Sequence, residues 1–136
     1  MAKLVRFGVS IERELLKKFD RIIKNKGYAS RSEAIRDLIR GEEVKEVLKN
    51  EDAQVIGTIT LVYNHDVSNV MNKLLGAQHE YNKNIISTTH VHLDEHNCLE
   101  VIVSEGKVKE LQSLADKLIS VKGVKHGKLI LTKKLF

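Results

Sequence analysis

Two histidines and a cysteine near residue 95 are the residues of this sequence best suited to chemistry. His90 and His92 are separated by one residue, and Cys98 follows after a further five. Side chains two apart on a strand share a face and lie about 7 Å apart. If residues 94–96 turn a hairpin, His92 pairs with Cys98, and His90 pairs with Glu100. Imidazole nitrogens and a thiolate on one face are typical metal ligands, so the spacing predicts a metal site.

A fourth ligand is needed to complete this set, and we expect His79 to supply it. The opposite face of the hairpin is apolar, which predicts that it forms the core and that the metal face points outward, towards a shielding partner. These apolar residues are Val91, Leu93, Leu99 and Val101. His79 lies near the end of a predicted helix and is better placed to reach another chain than its own hairpin. For the other histidines, His65, His96 and His126, we expect surface or hydrogen-bonding roles, and the alternative for His65 is a secondary metal site.

The ligand set leaves the metal open, because three imidazoles and one thiolate suit Ni(II) or Cu(II) in a plane and Zn(II) in a tetrahedron. A competing interpretation is an enzyme with Cys98 as nucleophile and His90 or His92 as base. No glycine-rich turn or oxyanion-hole loop accompanies these residues, so we expect no enzyme. A lone cysteine excludes an internal disulfide framework, and the sequence shows neither a signal peptide nor a membrane span, which predicts a cytoplasmic protein.

The elements that must position these residues follow the order strand, helix, two strands, helix, strand. Hydrophobic spacing predicts strands over 54–63, 85–93, 97–104 and 124–132, and helices over 66–81 and 108–121. This order is the ferredoxin-like βαββαβ arrangement, in which both helices cover one face of a sheet.

The first 45 residues have a different pattern. Alternation over residues 5–11 predicts a short strand, and helical spacing follows it as far as Gly27. Ser30 and Glu33 then form a predicted capping box that opens a second helix, which weakens at Gly41. One strand and two helices do not easily bury a hydrophobic core by themselves. We therefore expect this domain to dimerise. The domains are therefore predicted as 1–45 and 54–136, with a polar linker over 46–53.

Positive charge is concentrated at the N-terminal end. Residues 1–50 contain 13 lysines or arginines against 8 aspartates or glutamates, whereas residues 51–136 contain 10 of each. The whole net charge of +5 therefore lies in the first 50 residues. This asymmetry is typical of a nucleic-acid-binding module joined to a neutral partner domain.

Together these motifs resemble the NikR-type nickel-responsive ribbon-helix-helix regulators. The resemblance covers nearly the whole chain and rests on Gly27-Tyr28 with RSEAIRDLIR (31–40), on Gln78-His79-Glu80, on HVHLDEHNCLEV (90–101) and on GVKHG (123–127). It implies an α+β protein with an N-terminal ribbon-helix-helix domain and a C-terminal ferredoxin-like (ACT-like) domain. It also implies a homotetramer, a dimer of dimers, with one Ni(II) per subunit in a square plane. The ligands would be His90, His92 and Cys98 of one subunit and His79 of its neighbour.

The resemblance further implies a repressor that binds palindromic operator DNA of nickel-uptake genes when nickel is present. Arg6, Gly8 and Ser10 would face the bases, although Ser10 is equally suited to capping the first helix. Ser30, Arg31 and Ser32, at the start of the second helix, would anchor a phosphate. Glu33 and Asp37 match carboxylates that hold a cation in some relatives; the simpler interpretation is a capping carboxylate and a surface acid. The alternative function is a ribbon-helix-helix repressor that senses another metal or a small molecule.

Overall fold

The computed structural model describes residues 3–136, which divide into two compact units, one that ends at Glu42 and one over Glu43–Phe136. No helix among these described residues is both long enough and apolar enough to cross a membrane. The two units have different kinds of core.

The N-terminal unit contains helix α1 (Arg13–Asn25) and the first part of helix α2 (Arg31–Leu48). Residues 3–12 form neither helix nor strand. The sequence alternation predicts a strand over 5–11, and the single chain does not form it. A strand needs a neighbour to accept and donate its ladder hydrogen bonds, and the described part of this unit offers no second strand.

The turn between α1 and α2 is built as the sequence predicts. Gly27 adopts φ of +84°, in the left-handed region that favours glycine at helix ends. Ser30 Oγ accepts a hydrogen bond from the amide of Glu33 at 3.2 Å. The Glu33 carboxylate accepts one from the amide of Ala29 at 3.2 Å, one residue earlier than an ideal capping box.

Helix α2 continues through Gly41 to Leu48, beyond the point where the sequence predicts that it weakens. The reason is visible at its C-terminal end. Val47 and Leu48 pack against a small buried cluster of Val55, Val108 and Leu111 in the C-terminal unit. This apolar contact stabilises helical turns that are predicted from sequence as polar linker.

The C-terminal unit is the predicted βαββαβ arrangement. Its elements are β1 (Gln54–Asn64), α3 (Val70–Glu80), a short 3-10 turn (Asn82–Asn84), β2 (Ile85–His92), β3 (Asn97–Lys107), α4 (Val108–Ile119) and β4 (Val124–Thr132). The sheet order is β2-β3-β1-β4, and every neighbouring pair is antiparallel. The main core joins the sheet to α3 and α4 through residues such as Ile59, Leu74 and Leu118.

Candidate metal centre

The β2–β3 hairpin has the register that the sequence predicts, with His92 opposite Cys98 and His90 opposite Glu100. Its turn is held by Asp94, which accepts hydrogen bonds from the amides of His96 and Asn97, both at 2.8 Å. Hydrogen bonds from the Asn97 side chain and from these amides lower the pKa of Asp94 to about 2. The turn thus stays locked while the carboxylate is ionised.

His90, His92 and Cys98 lie together beside an open cavity of about 610 Å³. The imidazole ring centroids of His90 and His92 are 5.2 Å apart, and His92 Nδ1 is 3.6 Å from Cys98 Sγ. Cys98 is only 1% exposed, so its sulfur is reached from the cavity side rather than from open solvent. The three side chains line the same cavity, but among the described residues the close group of potential ligand atoms contains His92 and Cys98 and not His90. Imidazole and thiol donors of this kind fit a thiophilic divalent metal.

Tyr63 orients one of these imidazoles. Its hydroxyl is 3.4 Å from His90 Nδ1, and the two rings meet edge to face. Burial, together with the nearby Glu100 and Cys98, raises the pKa of Tyr63 to about 12. The hydroxyl therefore stays protonated at neutral pH, within hydrogen-bonding distance of His90 Nδ1.

The predicted orientation of the sheet faces is wrong. Cys98, Glu100 and Ile102 lie on the helix-covered face and are buried, and Cys98 and Ile102 belong to the main core. The residues predicted as core face the other way: Val91 and Leu93 are exposed, and Leu99 and Val101 are half-buried. The face that the helices cover carries the polar residue Glu100 beside Cys98 and Ile102, whereas the uncovered face is the more apolar one, so alternation alone does not identify the face that the helices cover.

His79 is not part of the donor cluster of its own chain. It lies exposed in the last turn of α3, four residues after Leu75 and eight after Met71, which are also exposed. Among the described residues, no group of three close potential ligands includes His79. Helix α3 packs on the same face of the sheet as Cys98, so the sheet does not separate His79 from the hairpin, contrary to the predicted outward-facing metal face.

His65 lies beside Cys98, although the sequence predicts a surface or hydrogen-bonding role for it and gives a secondary metal site only as the alternative. Its Nδ1 is 3.7 Å from Cys98 Sγ, and one ligand atom each from His65, His92 and Cys98 lie within 4.8 Å of one another. His65 follows the last residue of β1, Asn64, which pairs with Asn97 at the start of β3. The pairing of β1 with β3, which is not evident in the sequence, was the signal needed to find it.

A buried hydrogen bond joins α3 to the hairpin next to the site. Glu100 is 8% exposed, and its Oε1 accepts a hydrogen bond from Gln78 Nε2 at 3.0 Å. Gln78 directly precedes His79, and Glu100 pairs with His90. The bond therefore fixes the end of the helix to the strand beside the two histidines.

The residues predicted to contact DNA all lie in the N-terminal unit and are exposed: Arg6, Gly8, Ser10, Ser30, Arg31 and Ser32. Ser10 makes no side-chain cap to α1, whose N-cap residue is Glu12. Arg31 donates two hydrogen bonds of 2.8 Å to Asp20, an ion pair that raises the pKa of Arg31 and lowers that of Asp20. Its guanidinium is thus oriented by α1.

The two carboxylates of the predicted second cation site, Glu33 and Asp37, each have a local partner. Glu33 accepts from the amide of Ala29, and Asp37 accepts from the hydroxyl of Tyr28, which raises the pKa of that tyrosine. A shared cation between them remains a prediction.

Two family models match the chain. Residues 56–132 match the NikR C-terminal nickel-binding domain, and residues 5–46 match the ribbon-helix-helix proteins of the copG family. The two matches together span nearly all of the chain.

Relatives in several organisms are described as nickel-responsive regulators. One from Pyrococcus furiosus is 59% identical, covering 95% of this chain and 94% of its own; one from Caldanaerobacter subterraneus is 58% identical, covering 95% and 84%. One from Geobacter is 54% identical, covering 97% and 95%. Among solved structures, an uncharacterised protein of Thermotoga maritima shares the fold, with a TM-score of 0.54, 17% identity, and coverage of 59% of this chain and 99% of its own.

Proposed function

Because the chain belongs to the NikR family of nickel-responsive ribbon-helix-helix regulators, we propose that it binds one Ni(II) per chain between two protomers. Family membership makes it a DNA-binding transcriptional repressor and not an enzyme. In the proposed site, one protomer contributes His90, His92 and Cys98, and a second contributes His79. The observation that supports it best is that His90, His92 and Cys98 line the same open cavity.

The position of His79 supports a site shared between chains. His79 ends an exposed stripe of α3 that includes Met71 and Leu75, and apolar residues on a helix surface are typical of a face covered by a partner. The uncovered face of the sheet offers a second such surface, with Val91 and Ile130 exposed. These surfaces support a homotetramer, assembled as a dimer of dimers.

A ligand set divided between protomers would link metal occupancy to assembly. Bound Ni(II) supplies a crosslink through thiolate and imidazole donors, and any ligand that binds only the assembled state stabilises that state. Gln78 and Glu100 would transmit the position of α3 to the hairpin that holds the other ligands.

The N-terminal unit provides the DNA-binding half of the proposal. Its apolar side chains at 5, 7, 9 and 11 are exposed in a single chain. Pairing of two such segments would bury these side chains and direct Arg6, Gly8 and Ser10 to the major groove. Ser30, Arg31 and Ser32 would hold phosphate. We propose palindromic operators of nickel-uptake genes as the DNA, bound in the cytoplasm.

Complementation between two variants tests the shared site. His79→Ala and Cys98→Ala chains should each lose tight nickel binding, and co-assembled mixtures should regain part of it in equilibrium dialysis. Mixtures that bind no more nickel than the separate variants would contradict the shared site. Fluorescence anisotropy on operator DNA then tests regulation: affinity should rise with nickel in the parent and stay unchanged in Cys98→Ala.

A further inference from the structure

His65, His92 and Cys98 form a compact donor cluster within one chain. They come from three separate places: the residue after β1, the end of β2 and the start of β3. Their ligand atoms lie within 4.8 Å of one another without any residue from another protomer. The cluster shares His92 and Cys98 with the proposed nickel site, and it differs in using His65 where that site uses His90 and His79.

His65 is held as a metal-binding histidine is usually held. Its Nε2 is 2.6 Å from the carbonyl oxygen of Glu95 and 3.3 Å from a carboxylate oxygen of Asp66. Its amide also donates to the carbonyl of His96 at 2.9 Å. A ring N–H that donates to a carbonyl or carboxylate fixes the tautomer and aims the other nitrogen at the metal. Nδ1 of His65 is therefore the free acceptor, and it faces Cys98 Sγ.

The two nitrogen–sulfur distances match tetrahedral zinc. Zn–S bonds of about 2.3 Å and Zn–N bonds of about 2.0–2.1 Å at the tetrahedral angle place nitrogen and sulfur about 3.6 Å apart. The distances from Cys98 Sγ to the Nδ1 atoms of His92 and His65 are 3.6 Å and 3.7 Å. All three donor atoms lie within 4.8 Å of one another, and the cavity beside them leaves space for a fourth ligand.

We propose that His65, His92 and Cys98 form an intrachain zinc site that competes with nickel. Because it shares His92 and Cys98 with the nickel site, one chain holds one ion or the other. Zinc would take its protein ligands from one chain and would not need His79 of a second protomer. It would therefore occupy the sensor without linking two chains. The competition part rests on the proposed nickel function, whereas the zinc site stands on the geometry of one chain.

Zinc and nickel titrations of the full-length protein by competition with a chelating dye test this proposal. His65→Ala should lower zinc affinity by more than about tenfold, because even an outer partner of a metal ligand is worth about 10- to 100-fold. Its nickel affinity should stay within about twofold of the parent. His79→Ala should lower nickel affinity and leave zinc affinity within about twofold of the parent. Cys98→Ala should lose tight binding of both metals. His126→Ala, which removes an exposed histidine outside the cluster, is the matched control.

The possible outcomes separate the two proposals. Zinc affinity unchanged in His65→Ala, or equal losses of zinc and nickel, would overturn the intrachain site. Simultaneous binding of one zinc and one nickel per chain would overturn the competition. Nickel affinity unchanged in both His79→Ala and Cys98→Ala would overturn the proposed function and leave the zinc result standing. If His65→Ala does not fold, as judged by circular dichroism, His65→Gln keeps a side-chain N–H donor for the carbonyl of Glu95, removes the imidazole and gives the same test.

Discussion

The two units of this chain use the same kind of hydrophobic pattern to different ends. In the C-terminal unit, apolar periodicity produces a closed core with residues such as Ile59, Leu114 and Leu118 fully buried. In the N-terminal unit, only Ile23 and Ala34 are buried among the described residues. Leu16, Phe19 and Ile35 are half-buried there. Many other apolar side chains stay exposed, including Val5, Phe7, Val9, Leu15, Ile22 and Leu38. The C-terminal unit buries its apolar side chains within one chain, whereas the N-terminal unit needs a second chain to bury its own.

The largest expected effect lies in the closed core. Leu118→Ala should lower the free energy of unfolding by about 2–5 kcal/mol, because it leaves a cavity in a fully buried site. Leu135→Ala, at a side chain that is 81% exposed, is the control and should cost little. Denaturant unfolding followed by circular dichroism measures both. A loss below about 1 kcal/mol for Leu118→Ala would mean that this core is not closely packed.

The N-terminal unit should respond to protein concentration. Phe7 is 69% exposed in a single chain, so Phe7→Ala should cost little unless a second chain buries it. We expect a cost of about 1.5–3 kcal/mol, the value of burying a large apolar side chain, and an unfolding midpoint that falls on dilution. Leu4→Ala, in the same segment but on the opposite parity, should have a smaller effect. Equal and concentration-independent effects for both variants would remove the contrast between the units.

A substitution at Arg6 tests whether the polar face of the N-terminal segment, opposite Phe7 and Val9, contacts DNA bases. Arg6→Ala should weaken binding to operator DNA by about 1–3 kcal/mol, the value of one good base contact. Binding to random DNA should weaken less, since phosphate contacts do not depend on sequence. Nickel affinity should not change, because the ligands lie in the other unit. Anisotropy titrations on both DNAs measure the difference, and equal losses would make Arg6 a phosphate contact.

The smallest effect concerns one glycine in each unit. Gly41 in α2 and Gly76 in α3 lie in helix interiors, and a Cβ on either would have no atom within 4 Å. Gly41→Ala and Gly76→Ala should each raise the free energy of unfolding by up to about 1 kcal/mol, because alanine is the better helix former. Thermal unfolding measures both. Destabilisation by Gly41→Ala alone would show that another chain packs closely against that helix.

Much of the local structure follows from the sequence. The spacing of His90, His92 and Cys98 predicts the hairpin and its register, and the register is confirmed. Hydrophobic period predicts every helix and strand of the C-terminal unit, since each depends on neighbours along the chain. Ser30 predicts the start of α2 for the same reason, through its hydrogen bond to the nearby amide of Glu33.

Only the tertiary structure decided which face of the sheet the helices cover and which histidine joins Cys98. Parity shows that His92 and Cys98 share a face, but the face that the helices cover is the less apolar one, because the choice depends on packing across the whole unit. His65 lies 33 residues before Cys98 and reaches it because β1 pairs with β3. Contacts between distant segments depend on sheet order, a property of the folded chain, and no local pattern of residues encodes it.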